Sequence, residues 1–287
     1  MSRDAFIEVA WLAQHLHDPN VRVVDARSTP HGAPGQTGPS GAEQYAARHI
    51  PGAVHLDYAD HLADPATPYA ARVAPPQLFA EVMERRGIGD RTTVIAYDDG
   101  TVPYAARMIW MLRYYGHDDA KILAGGLPAW IAGGHPVTSD VPTAFAPAIF
   151  TPRVRPELRA SREEVLAVAR GERDAQLLET QRNATYATRD RDIAGSVRLS
   201  GNDLLEDERG GAIADRAKLD RLVGALGLDK HKRTIVSCGS GVSASGSYLA
   251  LLEAGFTDLA VYDGSWMEWS HDGLPTVVKS SSVPGHR

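Results

Sequence analysis

Short runs of Val, Ile and Leu alternate along this chain with longer segments whose apolar positions recur every three or four residues, and the alternation predicts strands and helices in turn. Val21–Val24 reads as a strand. In Pro76–Arg86 the apolar pairs Leu78/Phe79 and Val82/Met83 lie four apart, and Gly87 stands where a left-handed cap would close a helix. Thr93–Tyr97 is a second apolar run, Tyr104–Tyr115 a helix ended by Gly116, and Lys121–Leu123 a further short strand. The pattern then returns, with Thr234–Ser237 as strand, Ala244–Ala254 as helix closed by Gly255, and Leu259–Tyr262 as strand. Such alternation implies an α/β fold with doubly wound, mainly parallel sheets flanked by helices.

The return is a repeat. Gly116, Asp119, Gly125, Trp130, Gly134 and Pro136 find identical residues at Gly255, Asp258, Gly264, Trp269, Gly273 and Pro275, all 139 positions later. Upstream, His49–Val54 lines up with Asp192–Val197 at an offset of 143, so the copies differ by short insertions of the kind that loops absorb. Five prolines between Pro136 and Pro156 mark an extended connection. Ser161 and Glu164 then form the signature of a capping box at a new helix start. The expected organisation is an N-terminal domain over 1–140, a Pro-rich linker over 141–158, and a C-terminal domain over 159–287.

Length agrees, since 287 residues exceed the ~100–150 of a usual single domain. A net charge of −6 argues against a general nucleic-acid or anionic-membrane surface, which needs clustered Lys and Arg. Asp4 and Glu8 interrupt the apolar stretch that an export signal would need, and no apolar run approaches the ~20 residues of a membrane span, so a cytoplasmic setting is expected. A single cysteine can form no internal disulfide and no Cys-rich zinc site; neither a metal nor a cofactor is expected.

That cysteine, Cys238, follows the strand Thr234–Ser237, at the carboxyl end where open α/β sheets place their ligands. The segment Cys238-Gly239-Ser240-Gly241-Val242-Ser243 carries two glycines that let backbone N–H groups turn inward as an anion-binding nest, with the positive end of the next helix behind them. Those donors favour a thiolate and would also hold a persulfide, so a lowered thiol pKa is expected. The bland alternative is a buried thiol in a Gly-rich turn.

With Ala244 the loop resembles the active-site loop of mercaptopyruvate sulfurtransferases, usually Cys-Gly-Ser-Gly-Val-Thr-Ala, with Ser243 for Thr. Asp25-Ala26-Arg27, Arg48–Val54 and Tyr262–Trp269 also resemble signatures of the rhodanese superfamily, and the likeness spans nearly the whole chain. The resemblance implies two tandem rhodanese-like domains, with a catalytic C-terminal copy and an inactive N-terminal one. Asp98 indeed stands 140 residues before Cys238, where a thiol would be needed. It further implies ping-pong transfer of a sulfur atom from a small anionic donor, 3-mercaptopyruvate or thiosulfate, through a Cys238 persulfide to a thiol such as thioredoxin or a small thiol, or to cyanide. Ser240 matches the loop serine proposed to help proton transfer.

The likeness has gaps. Where relatives begin their donor-holding arginines after an Asp-x-Arg segment, this chain reads Glu179-Thr180-Gln181-Arg182, with Thr185 at the first matched arginine; Arg182, Arg189 or Arg191 could supply the missing charge. In the N-terminal copy Arg72 stands at a matched histidine position and would face the pocket. Tyr104, Trp110, Tyr115, Trp266 and Trp269 are read as packing residues. A phosphatase of the same fold would need arginine at the sixth position after the cysteine, which here is Ala244. The remaining rival is a non-enzymatic persulfide carrier, or a binding module with an eroded donor site.

Overall fold

The protein is described by a computed structural model over residues 5–28, 38–69, 71–99, 104–206 and 212–279. Asp4, used above against an export signal, lies outside them. In the first half the elements run β1 (Phe6–Ile7), α1 (Val9–His15), β2 (Val21–Asp25), α2 (Gly41–Ala47), β3 (Val54–His55), α3 (Pro76–Glu84), β4 (Thr93–Tyr97), α4 (Tyr104–Tyr114), β5 (Ala120–Leu123) and α5 (Gly126–Ala132). The second half runs α6 (Arg162–Ala169), β6 (Gln176–Glu179), α7 (Asn183–Tyr186), β7 (Arg191–Ile193), β8 (Ser196–Arg198), α8 (Arg216–Ala225), β9 (Thr234–Ser237), α9 (Val242–Glu253), β10 (Leu259–Val261), α10 (Ser265–His271) and β11 (Thr276–Val278).

Each half builds a parallel sheet, in the orders β1-β5-β4-β2-β3 and β10-β9-β6-β8. The strands are apolar on both faces because helices cover both. The repeat is visible down to single hydrogen bonds: Trp130 Nε1 donates to Pro136 O at 2.7 Å, and Trp269 Nε1 to Pro275 O at 2.8 Å. Where the first copy has β1, the second has only the single parallel bridge Arg159–Val261. Conversely, the antiparallel ribbon β7–β11 pairs Asp192 with Val277, and its first-copy counterpart shrinks to the bridge His49–Thr138.

The capping expectations are met in part. Ser161 Oγ accepts the Glu164 N–H at 3.1 Å, but the Glu164 carboxylate turns to Arg233 instead of closing the box. Gly116 and Gly255 end the helix segments at φ 80° and 90°.

Helix α4 explains how the halves join. Every residue except Arg113 is buried, a burden that one sheet alone cannot cover, and α4 packs on α9 so that one apolar core runs through both halves. Trp110 and Tyr115 lie wholly inside it, as packing residues should. Smaller clusters cover the outer faces, one around Leu12, Ile95 and Trp130, the other around Val165, Ile235 and Trp269. The Pro-rich connection is pinned to the first half: Phe150 packs 5.6 Å from the Phe79 ring, and Arg153 and Arg155 N–H groups donate to Tyr115 and Tyr114 carbonyls.

Candidate active site

β9 ends at Ser237 and α9 starts at Val242, so Cys238 to Gly241 make the whole turn between strand and helix. Gly241 holds φ at 84°, and a Cβ there would lie 2.9 Å from Asp263 O. Only glycine fits this conformation at this distance. The turn directs the Gly241 N–H to Cys238 Sγ at 3.1 Å, and the amides of Ser240 and Ala244 lie near enough to the sulfur to draw its pKa down. Carbonyls of the same turn point the opposite way, accepting Trp266 and Met267 N–H groups from the start of α10 onto Cys238 O and Gly239 O, at 3.0 and 2.9 Å. Ser265 completes the clamp: its Oγ accepts the Cys238 N–H at 3.1 Å and donates to Tyr262 O at 2.7 Å, while its own backbone takes the unusual φ of 51°.

The nest expected from the glycines is therefore present, but the expected direction of the thiol pKa is not. Cys238 is only 2% exposed, and burial pushes the thiol up; amides from Ala244, Ser240 and Gly241 pull it down, and nearby Glu179 adds to the rise. The net direction is upward, because three N–H groups do not replace the hydration a thiolate loses.

Gln181 Nε2 would meet a Cβ at Gly239 at 2.8 Å, so its side chain covers that face of the loop. Glu179, almost fully buried, is held by Arg189 at 2.5 Å. In the first copy the equivalent carboxylate, Asp25, is held by Arg27, two residues on. Gln181 stands at the Arg27 position, and Arg189, from the loop after α7, restores the cation. Arg189 also contacts Asp192 at 2.9 Å and stacks on Trp266, 4.6 Å from the ring, so this tryptophan covers a charge as well as packing. Its Nε and Nη1 are buried without a hydrogen-bond partner.

The structure thus brings Cys238, Gly239, Ser240, Gly241, Val242 and Ser243 into one turn and ties Arg189 to it through Glu179 and Trp266. The other arginines lie elsewhere. Arg182 is the partly exposed residue before α7. Arg191 is exposed on the β7–β11 ribbon, with Nε donating to Thr276 Oγ1 at 2.6 Å, because strand alternation turns it away from the sheet. Arg72 reaches across to Glu268 on α10 at 2.6 Å and lines a seam cavity of about 350 Å³ with Tyr114, Arg159 and Arg162, not the cysteine turn where it was expected.

Sequence reasoning missed Arg107. Its guanidinium is fully buried beneath the cysteine turn, with Nη1 3.3 Å from the Cβ position of Gly241. The signal was available: one cation inside the otherwise apolar run Tyr104–Leu112. In the first copy Asp98 occupies the thiol's place, and its Oδ2 accepts the Ala105 N–H at the start of α4 at 3.1 Å. Among the described residues no cluster of His, Cys, Asp and Glu could hold a metal, and no helix is long and apolar enough to cross a membrane.

A family model described as a rhodanese-like domain matches residues 8–133 and 162–272. The 3-mercaptopyruvate sulfurtransferase of Escherichia coli (strain K12) is 31% identical over 94% of this chain and 96% of its own length. Thiosulfate sulfurtransferase of Bos taurus is 31% identical over 98% and 97%, and the sulfur carrier protein TtuD of Thermus thermophilus 28% over 93% and 94%. The crystal structure of the 3-mercaptopyruvate sulfotransferase SseA from Escherichia coli superposes with a TM-score of 0.79, at 31% identity, over 91% of this chain and 98% of that one.

Proposed function

The chain belongs to the rhodanese family as a tandem pair of rhodanese-like domains, and from that premise we propose that its second copy transfers sulfane sulfur through a Cys238 persulfide while its first copy is catalytically silent. The observation that carries this reading is the turn whose Ser240, Gly241 and Ala244 amides converge on Sγ. The same donors suit a thiolate and a persulfide. The Cys238 thiolate attacks the thiol sulfur of 3-mercaptopyruvate; the carbon–sulfur bond breaks, and its electron pair leaves with the carbon fragment, which takes a proton to become pyruvate. An acceptor thiolate, or cyanide, then attacks the outer sulfur and Cys238 leaves as thiolate. Thiosulfate as donor would release sulfite.

Arg189 is the arginine best suited to the donor carboxylate, since two of its nitrogens are buried and unpartnered beside the turn. Ser240, half-buried in the turn, is the group to pass the proton to the departing carbon fragment. Because no Lys or Arg follows Cys238 within the turn, 3-mercaptopyruvate should outperform thiosulfate. Steady-state assays of both donors with cyanide and with a reduced dithiol test this; Cys238→Ser should abolish both activities, and faster turnover of thiosulfate would overturn the donor assignment. A second reading, a persulfide carrier, draws on the near-complete burial of Cys238 and on the relative named as a sulfur carrier. It predicts stoichiometric sulfur loading without sustained pyruvate release.

A further inference from the structure

The first copy has no cysteine, yet it places a charge against the turn that does. Arg107 projects from α4 into the seam between the halves and is 0% exposed. Its Nη1 lies 3.5 Å from Ser245 Oγ, which donates to Gly241 O at 2.8 Å; the Gly241 N–H in turn donates to Cys238 Sγ at 3.1 Å. Its Nη2 donates to Ala71 O, and its plane lies over Trp110, with the guanidinium carbon 4.5 Å from the ring. Nε has no partner. Among the described residues the carboxylate paired with it, Asp263, stands 3.9 Å away and gives its shorter contacts to Arg159, at 2.9 Å, and to the Val73 N–H, at 3.0 Å.

A guanidinium this deep stays charged, and its charge is under-compensated while Cys238 is a neutral thiol. Among the described residues, the titratable groups facing Cys238 include Glu179 from β6, Tyr58 from the loop after β3, and Arg107. Those facing Arg107 are Asp263, Tyr58 and Arg159, besides Cys238 itself. Burial keeps Tyr58 neutral, and Glu179 already has Arg189. Arg107 is thus the cation left to answer negative sulfur.

We infer that the copy without a cysteine sets the state of Cys238 through Arg107, a positioning residue that braces the turn at Gly241 and provides the buried positive charge against which thiolate and persulfide are held. The inference rests on Cys238 being the sulfur-bearing nucleophile, and it makes the silent half a necessary part of the site.

The test is the ultraviolet absorbance of the Cys238 thiolate against pH in the full chain, with Cys238→Ser as the blank. Arg107→Met should raise the midpoint by about one pH unit or more, leaving about tenfold less thiolate at any pH below it. Arg107→Lys keeps the charge and loses the fork, so its midpoint should stay near that of the unaltered protein. A mere strut predicts that Lys and Met behave alike, and that outcome, or an unmoved midpoint in a folded Arg107→Met protein, overturns the inference. Where Arg107→Met does not fold, Asp263→Asn decides: freeing Arg107 of its anion should lower the midpoint, and an unchanged or raised midpoint overturns the idea. No sulfur donor enters this titration, so failure to turn over a donor counts against the proposed activity and not against this inference.

Discussion

Arg189→Gln probes the substitution of one ion pair for another that distinguishes the second copy from the first. It leaves the Glu179 carboxylate, 1% exposed, without the cation that stands 2.5 Å from it, and with the weaker pull of Arg198 in its place. Breaking a buried pair on one side costs about 3–5 kcal/mol, much of it the desolvation of the orphaned charge. Burial already holds Glu179 above its usual carboxylate range, with Arg189 as the largest opposing influence, so removing Arg189 drives it higher. A carboxyl raised in the folded state binds its proton more tightly there than in the unfolded chain. Its contribution is therefore full below the unfolded value of about 4.5 and is lost as pH rises through the folded value. Urea denaturation should accordingly find Arg189→Gln mildly destabilised near about pH 5 and by about 3 kcal/mol or more near about pH 8. Glu179→Gln in the same chain removes the orphan, so the double variant should recover most of that loss, a coupling of at least about 1 kcal/mol. A cost below about 1 kcal/mol at the higher pH, or a double variant no more stable than Arg189→Gln, would refute the view that this pair replaces the first copy's Asp25–Arg27.

Two further outcomes follow from the same geometry. Gly241→Ala must take φ 84° with its Cβ against Asp263 O, so thermal unfolding should show a loss of about 2–3 kcal/mol, with sulfur loading of Cys238 falling in parallel; an unchanged melting point would mean the turn can rearrange. His117 is buried with Nε2 unpartnered, and burial lowers its pKa from 6.5, so it adds stability above that value that is lost as pH falls through the folded one; His117→Phe should flatten the decline in melting temperature between about pH 6.5 and about pH 5, and an unaltered slope would assign the decline to other groups.

Strands Thr93–Tyr97 and Thr234–Ser237 were legible to the residue because a strand buried on both faces is one unbroken apolar run. The helix after the cysteine begins at Val242, two residues before the expected Ala244, since the left-handed Gly241 lets the chain enter the helix at once. Helix α7 and the β7–β11 ribbon were not foreseen; four- and three-residue elements carry too little periodicity to register. The turn chemistry was readable because glycine, serine and cysteine act through local backbone geometry. The partners of charged residues were not, because they are set by contacts distant in sequence: Arg189 closes on Glu179 ten positions back, Arg72 spans to Glu268, and Arg107 reaches the turn only when the halves meet. The burial of Cys238 likewise depends on contacts distant in sequence, since Tyr58 and Arg107 of the first half stand close to it.

The apolar core that runs unbroken from α4 into α9 means that a cut through the Pro-rich connection would not liberate two modules. Each fragment would bare the wall that its sibling lines, so neither inherits a finished interior. Loss of either half would unroof the other.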